Sequence, residues 1–172
     1  QLKYWIADLP EACYGRERED RVLRQKLEET VQGELMAHFK YLMFADRARR
    51  RGMDRIANLF QALAASEYYH ARNFYSVLDR PAPFRESVET YVPGEEFEYQ
   101  HLYKMVAEYA GKHDSPLTEQ AYTGAAAAEK EHAFLLKKAS HIEEFDESVI
   151  YVCPICGYVM TGESAPERCP VC

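Results

Sequence analysis

Glutamates stand inside the apolar stripes of this chain at helical spacing, and no other feature of the sequence constrains its fold as tightly. Glu34 follows Leu27 by seven residues and Val31 by three, and Glu67 follows Leu63 by four and Phe60 by seven. Glu98 precedes Leu102 by four, with Glu95 one turn earlier, and Glu129 lies four after Ala125 and seven before Leu136. Residues at these intervals share a helix face. Burying one carboxylate costs several kcal/mol unless it is paired or bound to a metal. Five of them on core-facing stripes demand cations between them.

Two of these glutamates are followed three residues later by histidine, Glu67 by His70 and Glu129 by His132. That spacing places both side chains on one face, a turn apart. One such pair is weak evidence, because helices are rich in glutamate. Two pairs, each preceded by an upstream Gly-Glu, are specific: Gly33-Glu34 and Gly94-Glu95 recur at an offset of 61, and the Glu-x-x-His pairs and the tyrosines Tyr41 and Tyr103 at 62. Four-helix bundles that hold two metals take one glutamate from each of two helices and Glu-x-x-His from each of the other two. Carboxylate oxygen and imidazole nitrogen suit iron or manganese, and zinc also binds them. His38, on the stripe near Glu34, is expected to support a ligand from behind. His101, His113 and His141 read as surface residues.

Helical periodicity covers four stretches, about 20–51, 54–78, 94–111 and 116–141. The first carries Leu23, Leu27, Val31, Leu35, Leu42 and Ala45 on its stripe, the second Ile56, Leu59, Phe60, Leu63, Phe74 and Val77. Arginines before Gly52 read as an ordinary helix ending. Ser115 and Pro116 read as a helix start. Residues 79–93, with Pro81, Pro83 and Pro93, read as a connection long enough to cross a bundle. The fold expected is all-α: a ferritin-like four-helix bundle with a long crossover over 1–147, then a small C-terminal β module over 148–172.

That module holds four of the five cysteines, as Cys153-Pro-Ile-Cys156 and, twelve residues on, Cys169-Pro-Val-Cys172. Two such knuckles present four thiolates to one iron or zinc ion. So short a segment cannot build a sufficient apolar core and needs a metal staple. Spacing leaves iron and zinc open, and a neighbouring redox site, which needs an electron supply, favours iron. Cys13 reads as an incidental thiol. Paired cysteines in an odd total point to a reducing compartment.

A net charge of −7 argues against nucleic acid as a partner. No apolar run reaches the roughly 18 residues a membrane span needs. The first residues show no basic-then-apolar leader, and the chain reads as a soluble, cytoplasmic protein.

Taken together, Gly33-Glu34, Glu67-x-x-His70, Gly94-Glu95-x-x-Glu98, Glu129-x-x-His132 and the terminal Cys-Pro-Ile-Cys-Gly-Tyr and Cys-Pro-Val-Cys resemble rubrerythrin, from about residue 20 to the end. Glu98 is the extra glutamate that separates that family from simpler ferritin-like bundles. The resemblance implies that Glu67 and Glu129 bridge two irons, that Glu34 caps one and Glu95 the other, and that His132 ligates the second. It implies that His70 gives way to Glu98 when the first iron is oxidised, and that Tyr41 and Tyr103 donate hydrogen bonds or protons there. Cys153, Cys156, Cys169 and Cys172 would hold a rubredoxin-type iron, with zinc possible. The implied activity is peroxidase: hydrogen peroxide reduced to water in oxidative stress defence, with electrons from an NAD(P)H-linked partner reductase or a rubredoxin. The implied assembly is a homodimer, or a higher homo-oligomer, in which one subunit's cysteine module serves the other's bundle. The pattern departs from the family in stopping at Cys172 without the usual glycine and short tail, which predicts a frayed second knuckle. Residues 1–19 match no family role.

Two other readings belong to different classes. A ferritin-like ferroxidase or iron store predicts mineral uptake and does not need the cysteine module. A non-enzymatic metal-binding protein predicts a colourless structural zinc knot.

Overall fold

The computed structural model describes residues 20–78, 83–141 and 149–172. Residues 1–19, with Cys13, and the expected module junction at 147/148 lie outside the described residues. The chain divides into two compact units, 1–81 and 82–172, the second containing the cysteine module.

The first unit is a helical hairpin. Helix α1 spans Arg21–Arg49, and Asp20 caps it by accepting from the backbone N–H groups of Val22 and Leu23 at 2.8 and 3.1 Å. It ends in a reciprocal pair of backbone bonds, Met53 N–H to Ala48 and Gly52 N–H to Arg49. Gly52 sits there at φ +70°, a conformation that only glycine adopts without strain. Helix α2 spans Asp54–Leu78. The buried seam between the two is made of small residues, Val31, Ala45 and Ala48 facing Ala57, Ala64 and Ala71. The last three recur every seven residues, so one straight row of methyl groups lets the helices approach closely. The larger side chains expected on the stripes behave differently: Leu23, Leu35, Leu42, Ile56, Leu59, Phe74 and Val77 remain exposed. His38 lies on the same row as Val31 and Ala45, and its Nδ1 is 2.7 Å from the Ala64 carbonyl. A carbonyl only accepts, so Nδ1 carries the hydrogen. His38 therefore ties α1 to α2 through that nitrogen.

In the second unit α3 spans Phe84–Phe97, a π-helical turn spans Glu98–Leu102, α4 spans Tyr103–Lys112, and α5 spans Pro116–His141. The α3, π and α4 run packs along α5. Periodicity and the prolines predict this helix start at Gly94, with 79–93 as a connection. The structure corrects it: Pro83 precedes the first turn, and Pro93 lies inside the helix. Proline removes one N–H, here the partner of the Glu89 carbonyl, and Glu89 is exposed, so water can take that place. Pro116 opens α5 as expected. Strands β1 (Ile150–Val152) and β2 (Val159–Thr161) pair antiparallel, Tyr151 opposite Met160. The chain is thus all-α with a small C-terminal β module. No helix among the described residues is long and apolar enough to cross a membrane.

Candidate metal centres

Each helical unit assembles one three-residue ligand set. In the first, Glu34 on α1 meets Glu67 and His70 on α2; in the second, Glu95 on α3 meets Glu129 and His132 on α5. Within each set the carboxylate oxygens and imidazole nitrogen lie within 4.8 Å of one another. The two sets repeat one geometry. His70 Nδ1 is 2.8 Å from Glu67 and 3.8 Å from Glu34, and His132 Nδ1 is 2.5 Å from Glu129 and 3.7 Å from Glu95. Helical spacing explains the short contacts, since residues three apart are neighbours on one face. The sequence repeat therefore becomes a structural one.

The second set is extended by Glu98 and Tyr103. In an α-helix two residues five apart point about 140° from each other. Here the Tyr103 N–H bonds to the Glu98 carbonyl, an i→i+5 bond that closes a wider turn. The π turn brings the two side chains to one face, so that the Tyr103 hydroxyl feels the Glu98 carboxylate. Burial first, then that carboxylate, push the Tyr103 hydroxyl up to about 12. It stays a neutral donor across the physiological range. Tyr122 meets its ring edge-on at 5.4 Å. Tyr122 was not singled out from sequence, although it stands seven residues before Glu129, on the same stripe. Tyr41 stacks on Phe60 with centroids 6.0 Å apart, two turns beyond Glu34 on its face of α1.

The charge balance tests whether these sets fit cations. Glu95 Oε2 is buried without a hydrogen-bond partner. Its carboxyl is pushed up to about 7, chiefly by burial and then by Glu129, against the pull of His132. Three carboxylates and one imidazole around an orphaned oxygen lack positive charge, and a divalent ion supplies it. The residues fit iron.

The four cysteine sulfurs also converge. Cys153 and Cys172 lie 3.6 Å apart and Cys156 and Cys169 3.7 Å. A disulfide needs about 2.05 Å, whereas a tetrahedral site with metal–sulfur bonds of about 2.3 Å places sulfurs about 3.8 Å apart. The backbone N–H groups of Cys156 and then Ile155 hold the Cys153 thiol down to about 6. Those of Val171 and Cys172 likewise lower Cys169. Such nests stabilise thiolates, the form that binds metal. Cys172 takes its place in the cluster.

Comparison with known proteins agrees with this arrangement. The family model described as rubrerythrin matches residues 25–140, and that of the rubrerythrin rubredoxin-like domain matches 151–172. Rubrerythrin-2 of Clostridium acetobutylicum is 30% identical over 158 residues, covering 81% of this chain and 85% of that protein. Nigerythrin of Nitratidesulfovibrio vulgaris is 31% identical over 163 residues, covering 86% of this chain and 80% of its own length. A solved structure of fully reduced, all-ferrous nigerythrin aligns with 91% of this chain and 85% of that chain, at 28% identity and a TM-score of 0.49.

Proposed function

This chain belongs to the rubrerythrin family, and from that premise we propose that it is a peroxidase reducing hydrogen peroxide to water, with electrons entering through the tetracysteine centre. The family is one of oxidoreductases with a carboxylate- and histidine-ligated di-iron site and a rubredoxin-type site. The observation that carries the finer reading is the pair of matched ligand sets, one of them beside an extra carboxylate, Glu98, and a phenol that keeps its proton, Tyr103. A mineral store needs neither that carboxylate nor four converging thiols.

In this reading Glu34, Glu67 and His70 would hold one iron and Glu95, Glu129 and His132 the other, with Glu67 and Glu129 shared between them. When bound, the irons supply two electrons and the Lewis acidity that steadies charge developing on oxygen. The protein residues position and protonate. Tyr103 Oη keeps its proton beside Glu98 and would donate it there; Tyr41 is the proposed counterpart near Glu34. His70 would serve the reduced state, and anionic Glu98 would take its place when two units of positive charge are added, because a low-dielectric site favours the closer balance of charge. The His70 side chain is 52% exposed against 31% for His132, which suits a ligand that departs. Oxidative stress defence in the cytoplasm, a homodimer or higher homo-oligomer, and supply by an NAD(P)H-linked reductase or rubredoxin complete the proposal.

The test is a coupled assay under anaerobic conditions. Iron-loaded protein, a rubredoxin-reducing flavoprotein and NADH should oxidise the nucleotide in proportion to added peroxide, and Glu129→Ala should abolish it. Undiminished turnover in that variant, or steady accumulation of ferric mineral, would refute the assignment.

A further inference from the structure

The internal repeat steps by one residue inside the second unit. Gly33-Glu34 returns as Gly94-Glu95 at an offset of 61, but Tyr41 returns as Tyr103, and Glu67 as Glu129, at 62. Glu34 and Tyr41 are thus seven apart, and Glu95 and Tyr103 eight. An α-helix turns about 100° per residue, so seven residues bring two side chains to within about 20° of one face, and eight leave them about 80° apart. Helix α1 runs unbroken from Glu34 to Tyr41. In the second unit the π turn, Glu98–Leu102, lies between Glu95 and Tyr103 and takes up the extra residue. The step is a bare count in the sequence and acquires a meaning only from that turn.

Isolated π turns are rare, and this one is pinned to α5 on both sides. On its N-terminal side Glu95 meets Glu129 and His132. On its C-terminal side Tyr103 meets Tyr122, with ring centroids 5.4 Å apart and planes at 77°, an edge-on geometry that aromatic rings favour. With both ends fixed on α5, the widened turn is what fits eight residues between them. The first unit carries the same aromatic contact. Phe60 precedes Glu67 by seven residues as Tyr122 precedes Glu129, so the two rings are themselves repeat partners at 62, and Phe60 packs on Tyr41 at 6.0 Å. Phenylalanine has no hydroxyl, so the ring is the shared element. Between Tyr122 and Glu129 that face of α5 carries Ala125 and Ala126. These small residues leave depth for Tyr103, whose hydroxyl feels Glu98, Glu129 and Tyr122 together.

We propose that Tyr122 is a positioning residue: its ring pins Tyr103 to α5 and so keeps the π turn, which places Tyr103 on the face of Glu98 beside Glu95, Glu129 and His132. Losing the pin frees the turn to narrow into α-helix, and Tyr103 then swings off that face while Glu95 stays. The effect on reaction rate rests on the peroxidase reading above; the effect on the turn does not.

Tyr122→Leu removes the ring and Tyr122→Phe keeps it. The position is half-buried, so both side chains are accommodated. In the full-length protein, with and without iron, amide hydrogen exchange is followed by mass spectrometry over 97–104 and, as an internal reference, over 105–112. Leucine should speed exchange over 97–104 by roughly two- to tenfold, the span set by the contribution of one aromatic pair, with 105–112 unchanged and the phenylalanine variant like wild type. A single turnover of pre-reduced, iron-loaded protein with peroxide should slow in the leucine variant and keep its rate in the phenylalanine variant. A rise over both segments alike would reduce Tyr122 to ordinary helix packing, and no rise in either would remove it as a pin. A phenylalanine variant that behaves like leucine would assign the effect to the hydroxyl. Each of these results overturns the proposal, as does a leucine variant that reacts with peroxide at the wild-type rate. If the unmodified protein fails to react with peroxide, the peroxidase reading falls and the exchange pattern alone decides the pin.

Discussion

Glu95 offers a direct measure of how far the second helical unit is built around a cation. Without metal its carboxyl is pushed from 4.5 to about 7, first by burial and then by Glu129. A displacement of that size corresponds to about 3 kcal/mol at full strength. Water reaches a side chain that is 22% exposed, and screening reduces the figure to about 1–2 kcal/mol. The folded chain keeps this proton to about pH 7 while the unfolded chain releases it near 4.5. The contribution is therefore favourable in acid and is lost as pH rises through that window. In urea titrations of metal-free protein followed by circular dichroism, Glu95→Gln should match wild type near pH 4.5 and exceed it by about 1–2 kcal/mol at about pH 8. Adding ferrous ion should invert the order, because glutamine supplies no anionic ligand. A wild type–variant difference that does not change between acid and alkaline pH, or a metal-free Glu95→Gln that is the less stable at high pH, would show that Glu95 is not an uncompensated buried carboxylate.

The other substitutions probe separate parts of the site. Glu67→Ala removes a proposed bridge and should take the iron content of the helical units well below two per chain by metal analysis, whereas two tightly held irons would remove Glu67 from the ligand set. Cys156→Ser should abolish the visible absorbance of the ferric four-sulfur site, leave the helical dichroism unchanged, and stop reductase-fed turnover while a pre-reduced pair still reacts once with peroxide. Glu98→Gln should leave metal binding largely intact and raise the di-iron reduction potential in a redox titration, because the oxidised state loses an anion; an unchanged potential counts against the ligand exchange.

Much of the side-chain clustering was legible because it is written in spacing. Glu67 and His70, Glu129 and His132, and the two cysteine pairs lie three apart, so local geometry alone brings them together. Glu34 and Glu95 were found because a carboxylate on an apolar stripe is costly without a cation. What escaped reading depended on backbone departures and on packing. Pro93 signals a break by propensity, yet the freed Glu89 carbonyl faces solvent and the helix runs through. The π turn has no sequence signature, and without it Tyr103 would not be placed on the face of Glu98. Within the hairpin, close helix approach selects alanine, so Ala57, Ala64 and Ala71 form the buried seam and Leu59 and Phe74 lie outside it.

The central claim is that this family member uses its metals to reduce peroxide, and an anaerobic titration of the fully reduced, iron-loaded protein with hydrogen peroxide tests it most directly. Iron oxidation followed by Mössbauer and visible spectra should consume one peroxide for every two ferrous ions, run to completion within the mixing time of a manual experiment, and leave the ferric ions bound to the protein. Ferrous ions that persist in the presence of excess peroxide, or ferric iron released or deposited as mineral, would contradict the account.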